Sequence, residues 1–381
     1  MDAATLGSTI STTSGLALVN SVRHSTAPRS TLVDGLDALL HGAATGLHRG
    51  DVVEVQGVTA SGKTHLLTKL AVNHVLPRRV HVRLGRDVVP VPVGGHEHVV
   101  VWLDCTAAKF DVARLATLVR GHLVRAITEY RRPKGIGPPT EPELDSLVDE
   151  CLARLHVFSP TSTLQLACTI QTLPEWYDKM AATRGGGGAE ELGLVVVDGM
   201  TEFAWADQYE REHEPGPAPV RPPLQYFSSA IAHMRETLSP LIFISQWVLR
   251  PSHPHSTPSQ QDLPSYRPHF QPPLYPSLAN PPASGRTSRD GDSSPLGPVY
   301  YPSSPDSRVF PVHFHITLHP SPRPVFRKGV SMSMVLKEGR RFPQRTDDGD
   351  ATRGIVCVLR QAGGQEIGSW DMEIGDTEII A

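Results

Sequence analysis

One eight-residue segment constrains the fold of this 381-residue chain more than any other feature. An apolar run at 52–55 precedes the segment, and leucines and valines at helical spacing follow it. A strand, a glycine-rich loop and a helix in this order are the setting in which such a loop wraps around phosphate. The segment matches G-x-x-x-x-G-K-[ST] at every fixed position, and its residues are Gly57, Val58, Thr59, Ala60, Ser61, Gly62, Lys63 and Thr64.

The residue types in this segment suit a nucleotide. Backbone N–H groups of the loop must turn toward phosphate oxygens, and a side chain at Gly57 or Gly62 would obstruct that approach. Lys63 has the reach to contact the outer phosphates, and the hydroxyl of Thr64 can ligate magnesium. The alternative interpretation is a glycine–serine turn beside a surface lysine, which the matching flanks make the weaker of the two.

Composition narrows the class of protein. The net charge of −3 argues against a broadly basic coat for nucleic acid, although it leaves room for a local basic patch. The four cysteines show no C-x-x-C spacing, which favours reduced thiols in an intracellular protein. No apolar run reaches membrane-spanning length, and the N-terminus lacks the pattern of a signal peptide. We therefore predict a protein of the cytosol or nucleus without membrane contact.

Apolar runs alternate with helical patterns through residues 31–249. Three of these runs end at a polar residue: Asp104, Asp198 and Gln246. Such alternation predicts an α/β fold, with a mostly parallel sheet and helices on both of its faces. Because ligands of such sheets bind at the carboxyl ends of the strands, we expect these polar residues to lie beside the phosphate loop.

The sequence divides into four regions by composition. We predict a flexible N-terminal tail at 1–30, a core at 31–249, a disordered insertion rich in proline and serine at 250–308, and a β extension at 309–381. The last region contains four strand-like segments separated by turn residues, and an antiparallel extension of the sheet is their simplest arrangement. These segments are 309–318, 329–336, 354–360 and 368–374.

Two strand-end residues are candidates for the second half of the site. Asp198 can complete the shell of a magnesium ion together with Thr64. The alternative for Asp198 is an aspartate that caps the turn before Gly199. Gln246 can sense a bound γ-phosphate, or it can be a satisfied strand-end amide, and the spacing favours neither interpretation.

Histidines and basic groups give weaker signals. No cysteine or acidic pattern completes a metal site around the histidine pairs, so we interpret them as ordinary surface or strand residues. Arg78 with Arg79, and the basic run at 131–134, can meet DNA phosphate. Solvated charge on a mixed surface is the more common origin of any one such cluster. The histidine pairs are His96 with His98, His253 with His255, and His313 with His315.

Further segments show which family the chain resembles. Residues 35–42, GLDALLHG, are similar to the opening segment of RecA-type recombinases, and 46–57 are similar to that family's approach to its phosphate loop. The resemblance covers roughly 31–247 and implies a RecA-like P-loop ATPase core. Within the family, the chain most resembles the second X-ray-repair cross-complementing group of eukaryotic paralogues, and the segments that carry this likeness are 110–115, 158–166 and 197–207.

This resemblance implies an ATP-binding accessory factor, or mediator, of homologous recombination and double-strand break repair. ATP and Mg²⁺ are the implied cofactors. The implied partners are other RecA-like paralogues in a hetero-oligomer, with single-stranded or branched DNA contacted through that complex. The implied location is the nucleus.

Two departures from the family pattern bear on activity. The recombinases carry a glutamate that acts on the attacking water where this chain has Thr106, and a neutral threonine cannot serve as that base. We therefore assign no catalytic residue, keep Gln246 as a candidate sensor, and predict at most weak ATP hydrolysis. The proline-rich insertion stands where recombinases place a DNA-binding loop, which argues against direct strand exchange.

Two other functions remain as alternatives. One is an active, DNA-stimulated ATPase or strand-exchange protein. The other is an unrelated P-loop kinase, which the absence of an acceptor-site motif and of an arginine-rich lid makes the weaker choice.

Overall fold

The computed structural model describes part of the chain. Residues 1–28 of the predicted tail lie outside the described residues. The predicted insertion, 250–308, also lies outside them, apart from one short strand at 267–268. The predicted strand at 329–336 and the pair His253 and His255 also lie outside them. The domain boundaries therefore stay predictions. The described residues are 29–42, 46–84, 87–106, 108–134, 139–183, 190–213, 223–249, 267–268, 312–320, 353–361, 365–375 and 377–381.

The described helices include the one predicted after the phosphate loop. The helices are α1 (Asp34–Gly42), α2 (Lys63–Val75), α3 (Val112–Arg131), α4 (Glu141–Leu152), α5 (Thr163–Thr183), α6 (Ala204–His213) and α7 (Pro223–Thr237). Short 3₁₀ turns follow α3 at Arg132–Lys134 and precede α6 at Met200–Phe203.

The described strands fall into one large sheet and one separate hairpin. The strands are β1 (Val52–Gly57), β2 (Arg79–Leu84), β3 (Asp87–Pro92), β4 (Val99–Asp104), β5 (Leu155–Phe158), β6 (Leu192–Asp198), β7 (Leu241–Leu249), β8 (Arg267–Pro268), β9 (Phe314–Pro320), β10 (Arg353–Gln361), β11 (Glu366–Ile374) and β12 (Ile379–Ile380).

The strand order confirms the predicted fold class. The large sheet runs β12-β11-β10-β9-β1-β7-β6-β4-β5, with β8 paired to β7, and β2 and β3 form a separate two-stranded sheet. Neighbours from β9 to β5 are parallel, and β10, β11 and β12 add antiparallel strands at one edge. β9 is parallel to β1, so the antiparallel extension begins at β10 rather than at the first strand of the C-terminal region.

Helices cover both faces of the parallel strands. Trp102 and Phe243 belong to the cluster that includes residues of α2, α3 and α4. Val101 and Ile244, which are their neighbours in the sequence, belong to the opposite cluster with residues of α5 and α7. Since successive side chains of a strand point to opposite faces, a strand between two helical layers is apolar throughout. This explains why the sequences of β4 and β6 are continuous apolar runs up to their final aspartates, and why both strands are buried along their whole length.

Three histidines cluster at the amino end of β4: His74 and His98 are buried and His96 is half-buried, so the predicted pair His96 and His98 lies against α2 rather than on an open surface. The rings of His74, His96 and His98 have centroids 4.7 to 5.4 Å apart, and Nδ1 of His74 lies 3.3 Å from Nδ1 of His98. A Cβ at Gly193 would lie 2.2 Å from Nδ1 of His98, so the absence of a side chain there makes room for the ring. Among the described residues, no set of three or more His, Cys, Asp or Glu side chains is arranged to hold a metal ion.

The histidine group predicts a pH-dependent stability. Burial lowers the pKa of His74 and His96, and it lowers that of His98 to about 4, with Glu191 opposing the shift and Arg29 and neighbouring histidines adding to it. An unfolded histidine binds a proton near pH 6.5, so between pH 6.5 and 4 the unfolded chain holds more protons than the folded one. The free energy of unfolding is therefore expected to fall as the pH drops through that range, and to be fully restored above it.

Urea denaturation between pH 4.5 and 7.5 measures this dependence. At about 1.4 kcal/mol for each pKa unit, the shift of His98 alone corresponds to a contribution of about 3 kcal/mol. His98→Gln should make the decline with falling pH shallower, whereas His213→Gln, at an exposed position, should leave it as in the wild type. Parallel curves for His98→Gln and the wild type would contradict the assignment.

Candidate nucleotide site

The phosphate loop has the backbone shape that its sequence predicts. It leaves β1 at Gly57 and enters α2 at Lys63, and Ala60 and Gly62 have φ angles of +60° and +93°. A Cβ at Gly57 would lie 2.3 Å from Oγ of Ser61, and a Cβ at Gly62 would lie 2.4 Å from Cδ1 of Ile355. Gly57 is therefore crowded by the Ser61 side chain and by the backbone carbonyl of Leu318 at 3.0 Å, and Gly62 is required by its left-handed backbone.

The amine of Lys63 lies against the loop. Its Nζ donates hydrogen bonds to the carbonyl oxygens of Gly57, at 3.0 Å, and Val58, at 2.9 Å. Burial lowers the pKa of Lys63 to about 8, while the Asp198 carboxylate acts in the opposite direction. Oγ of Ser61 is buried and has no hydrogen-bond partner among the described residues. A phosphate oxygen is a stronger acceptor for the ammonium than a carbonyl, and it also offers the hydroxyl a partner.

The two predicted magnesium ligands are in contact. Oγ1 of Thr64 donates to Oδ2 of Asp198 at 2.9 Å, which joins the start of α2 to the end of β6 across 134 residues of sequence. A hydroxyl and a carboxylate oxygen are the hard ligands that Mg²⁺ prefers, so the residues present fit this ion. Burial raises the pKa of Asp198, and the hydrogen bonds from Ser245 and Thr64 counteract it.

The turn after Asp198 is capped by another residue. The N–H of Gly199 donates to Oγ of Ser245 at 2.8 Å, and Ser245 in turn donates to Oδ1 of Asp198 at 2.6 Å. The alternative role of Asp198, as the cap of this turn, is therefore filled by Ser245. The role of Ser245 could not be predicted from the sequence, because a single serine in the apolar run of β7 resembles a tolerated core residue.

Thr106 is held in the loop that follows β4. Its N–H and its hydroxyl approach Oδ1 of Asp104 at 3.1 and 2.6 Å, and the N–H of Phe110 donates to Oδ2 of Asp104 at 2.9 Å. A Cβ at Gly199 would lie 2.6 Å from Cγ2 of Thr106, so the threonine packs against the residue after Asp198. Asp104 thus organises this loop, and its carboxylate oxygens are engaged by protein groups rather than poised to act on water.

Gln246 lies inside the sheet rather than at the last residue of its strand. It is 1% exposed and stands opposite Gln56 of β1, and β7 continues past it to Leu249. Its Nε2 has no hydrogen-bond partner among the described residues. The role of Gln246, as a sensor or as a strand-end amide, therefore stays a prediction.

The structure separates the members of one predicted basic cluster. Arg131 is 5% exposed, and its guanidinium donates to the carboxylate of Glu143 at 3.1 Å. Arg132, the next residue, is exposed, as are Arg78 and Arg79. Arg131 therefore serves the packing of α3 on α4, and it is not available to DNA phosphate.

Comparisons with known proteins agree with the motifs. No model of a known protein family matches the chain. The DNA repair protein XRCC2 of Mus musculus is 26% identical over 159 residues, and the DNA repair protein XRCC2 homolog of Arabidopsis thaliana is 23% identical over 175 residues. The chain is similar to XRCC2. This confirms its resemblance to the RecA-type paralogues, and the mostly parallel sheet with antiparallel C-terminal strands is consistent with their RecA-like fold.

The matches cover part of each protein. Either alignment spans 42% of this chain and 43% of the relative. The activity and the partners of the complete relatives can therefore only be proposed for this chain. Across the parts of the chain that the structure describes, no helix combines the length and apolar character needed to cross a bilayer.

Proposed function

We propose that this chain binds ATP with Mg²⁺ and acts as an accessory factor of DNA repair by homologous recombination. The contact between Thr64 and Asp198, with Lys63 on the adjoining loop, is the observation that carries the nucleotide part. The similarity to proteins named for DNA repair supports the repair role. A nuclear hetero-oligomer with other RecA-like paralogues is the setting that the same similarity favours.

In this proposal each residue of the site has a distinct task. The loop N–H groups and Lys63 bind the phosphates, and Thr64 and Asp198 hold the metal ion, which offsets the negative charge of the phosphates. The oxygens of Asp104 are engaged by Thr106 and the N–H of Phe110, and Thr106 carries no base. The nucleotide therefore serves as a ligand for binding and assembly, with slow turnover.

One observation favours the second candidate, an active DNA-stimulated ATPase. The buried Nε2 of Gln246 has no partner among the described residues, and a γ-phosphate within its reach would satisfy it. Turnover distinguishes the two candidates. ATP hydrolysis that DNA stimulates and that Lys63→Met abolishes would establish the second candidate.

Nucleotide binding by wild type and Lys63→Met tests the proposal. The substitution keeps a long side chain but removes the ammonium, so affinity for a non-hydrolysable ATP analogue with Mg²⁺ should fall about 10- to 100-fold, as expected for hydrogen bonds to a charged group. Isothermal titration calorimetry measures this loss. The full chain, purified from its native cell, should also carry a RecA-like partner that mass spectrometry identifies.

Lys69→Met is the matched control for this experiment. Lys69 lies on the same helix and is also partly buried, but its charge interacts with Asp34, Arg125 and Glu378 rather than with the loop. Its variant should bind the analogue as the wild type does. Equal affinities of wild type and Lys63→Met would overturn the assignment of the ligand.

A further inference from the structure

Ser245 makes two hydrogen bonds at the base of the candidate metal site. It is fully buried on β7, one strand away from Asp198 on β6. Its Oγ accepts the N–H of Gly199 at 2.8 Å and donates to Oδ1 of Asp198 at 2.6 Å. Because the backbone N–H can only donate and the carboxylate oxygen accepts, the hydroxyl of Ser245 accepts from Gly199 and gives its proton to Asp198.

The two oxygens of Asp198 therefore have separate partners. Oδ1 is bound by Ser245, and Oδ2 accepts the hydroxyl of Thr64 at 2.9 Å. A carboxylate held at one oxygen cannot rotate about its last torsion without breaking a charge-assisted hydrogen bond. The neighbours of Ser245 on β7 are Gln246 and the fully buried, apolar Ile244. The contact from β7 to Asp198 is therefore made by the hydroxyl of Ser245.

We propose that Ser245 is a positioning residue for the magnesium–nucleotide complex, which it serves by holding Oδ1 of Asp198 so that Oδ2 faces Thr64 and the metal ion. The inference rests on the proposed function, because it concerns the same nucleotide site. Ser245 acts through Asp198 and touches neither the nucleotide nor the metal. Outer partners of this kind orient metal ligands, and their loss typically weakens the metal's contribution by an order of magnitude or more.

The test compares nucleotide affinity with Mg²⁺ and with EDTA in place of the metal. Ser245→Ala should lose about tenfold in affinity for the ATP analogue with Mg²⁺, the loss expected for a hydrogen bond to a charged group. The affinity measured with EDTA should change less than about twofold, because the loop and Lys63 are untouched. Ser245→Thr, which keeps the hydroxyl, should restore most of the metal-dependent affinity.

A second buried hydroxyl provides the control. Thr201 is 1% exposed, and its Oγ1 accepts the N–H of Trp247 at 3.1 Å. Thr201→Ala should lower the midpoint of thermal unfolding about as much as Ser245→Ala does, while leaving the ratio of the affinities with and without Mg²⁺ unchanged. A purely structural role of Ser245 would produce equal losses under both conditions, and no rescue by threonine, and either result would overturn the inference.

Failure of this inference is distinct from failure of the proposed function. If the wild type binds the analogue no better than Lys63→Met, the nucleotide site itself is wrong. If the wild type binds in a metal-dependent manner and Ser245→Ala retains the same dependence, the role of Ser245 alone is overturned.

Discussion

Gly62→Ala is expected to destabilise the protein by about 2–4 kcal/mol and to abolish nucleotide binding. The φ angle of +93° strains any residue with a Cβ, at a cost of about 1–3 kcal/mol. The new methyl group would also lie 2.4 Å from Cδ1 of Ile355 and 3.2 Å from Cε of Met372, which must repack inside the core. Urea denaturation measures the loss of stability, and calorimetry with the ATP analogue measures the loss of binding.

Gly94 offers a control with the same backbone strain and no crowding. Its φ angle is +87°, and a Cβ there would meet no atom within 4 Å. Gly94→Ala should therefore lose only the stability that corresponds to the backbone strain, and it should bind nucleotide as the wild type does. If the two variants lose the same stability, the packing of the C-terminal strands against the loop is not what requires Gly62.

This comparison also tests the role of the C-terminal strands. Ile355 lies on β10 and Met372 on β11, so the strands that extend the sheet also support the turn that precedes Lys63. The Cδ1 atom of Ile374, near the end of β11, lies 3.4 Å from the same Cβ position. The nucleotide site therefore depends on residues nearly 300 positions later in the chain, and a truncation before β10 would remove that support.

The features closest to the phosphate loop could be predicted from sequence, because each depends on local pattern. The loop and α2 follow from the glycine spacing and from the helical period after Lys63. The meeting of Thr64 and Asp198 follows from one more rule, that the carboxyl ends of parallel strands share an edge of the sheet. The hydrogen bond of 2.9 Å between Thr64 and Asp198 agrees with this rule.

Other features could not be predicted, because they depend on what packs against a residue. The hairpin of β2 and β3 contains Pro90 and Pro92, which remove backbone donors and weaken a strand pattern. Histidine is found both buried and exposed in folded proteins, so the sequence of α2 does not predict that His74 contacts two histidines later in the chain. The role of Ser245 is visible only once β7 is known to pair with β6. The pairing of β9 with β1 joins residues more than 250 positions apart in the sequence.

Trp102→Ala is expected to cost about 3–5 kcal/mol, the usual loss for an aromatic residue removed from a core. Trp102 lies at the centre of β4, is fully buried, and packs on the ring of Phe110 with centroids 4.6 Å apart. A control at the edge strand β5, Val157→Ala, should cost less than about 0.5 kcal/mol, since Val157 is 38% exposed. Urea denaturation of the full chain measures both values.

Trp102→Phe separates volume from polarity at the same position. The indole Nε1 of Trp102 is buried and has no hydrogen-bond partner among the described residues. Phenylalanine removes that unsatisfied N–H, which offsets part of the loss of packing, so we expect a cost of only about 1 kcal/mol. If the phenylalanine and alanine variants are equally destabilised, the indole N–H contributes to the stability of the core and is not an unsatisfied group. If phenylalanine is tolerated, β4 needs an aromatic ring at Trp102 to support Phe110 and the Asp104 loop, and it does not need the indole nitrogen.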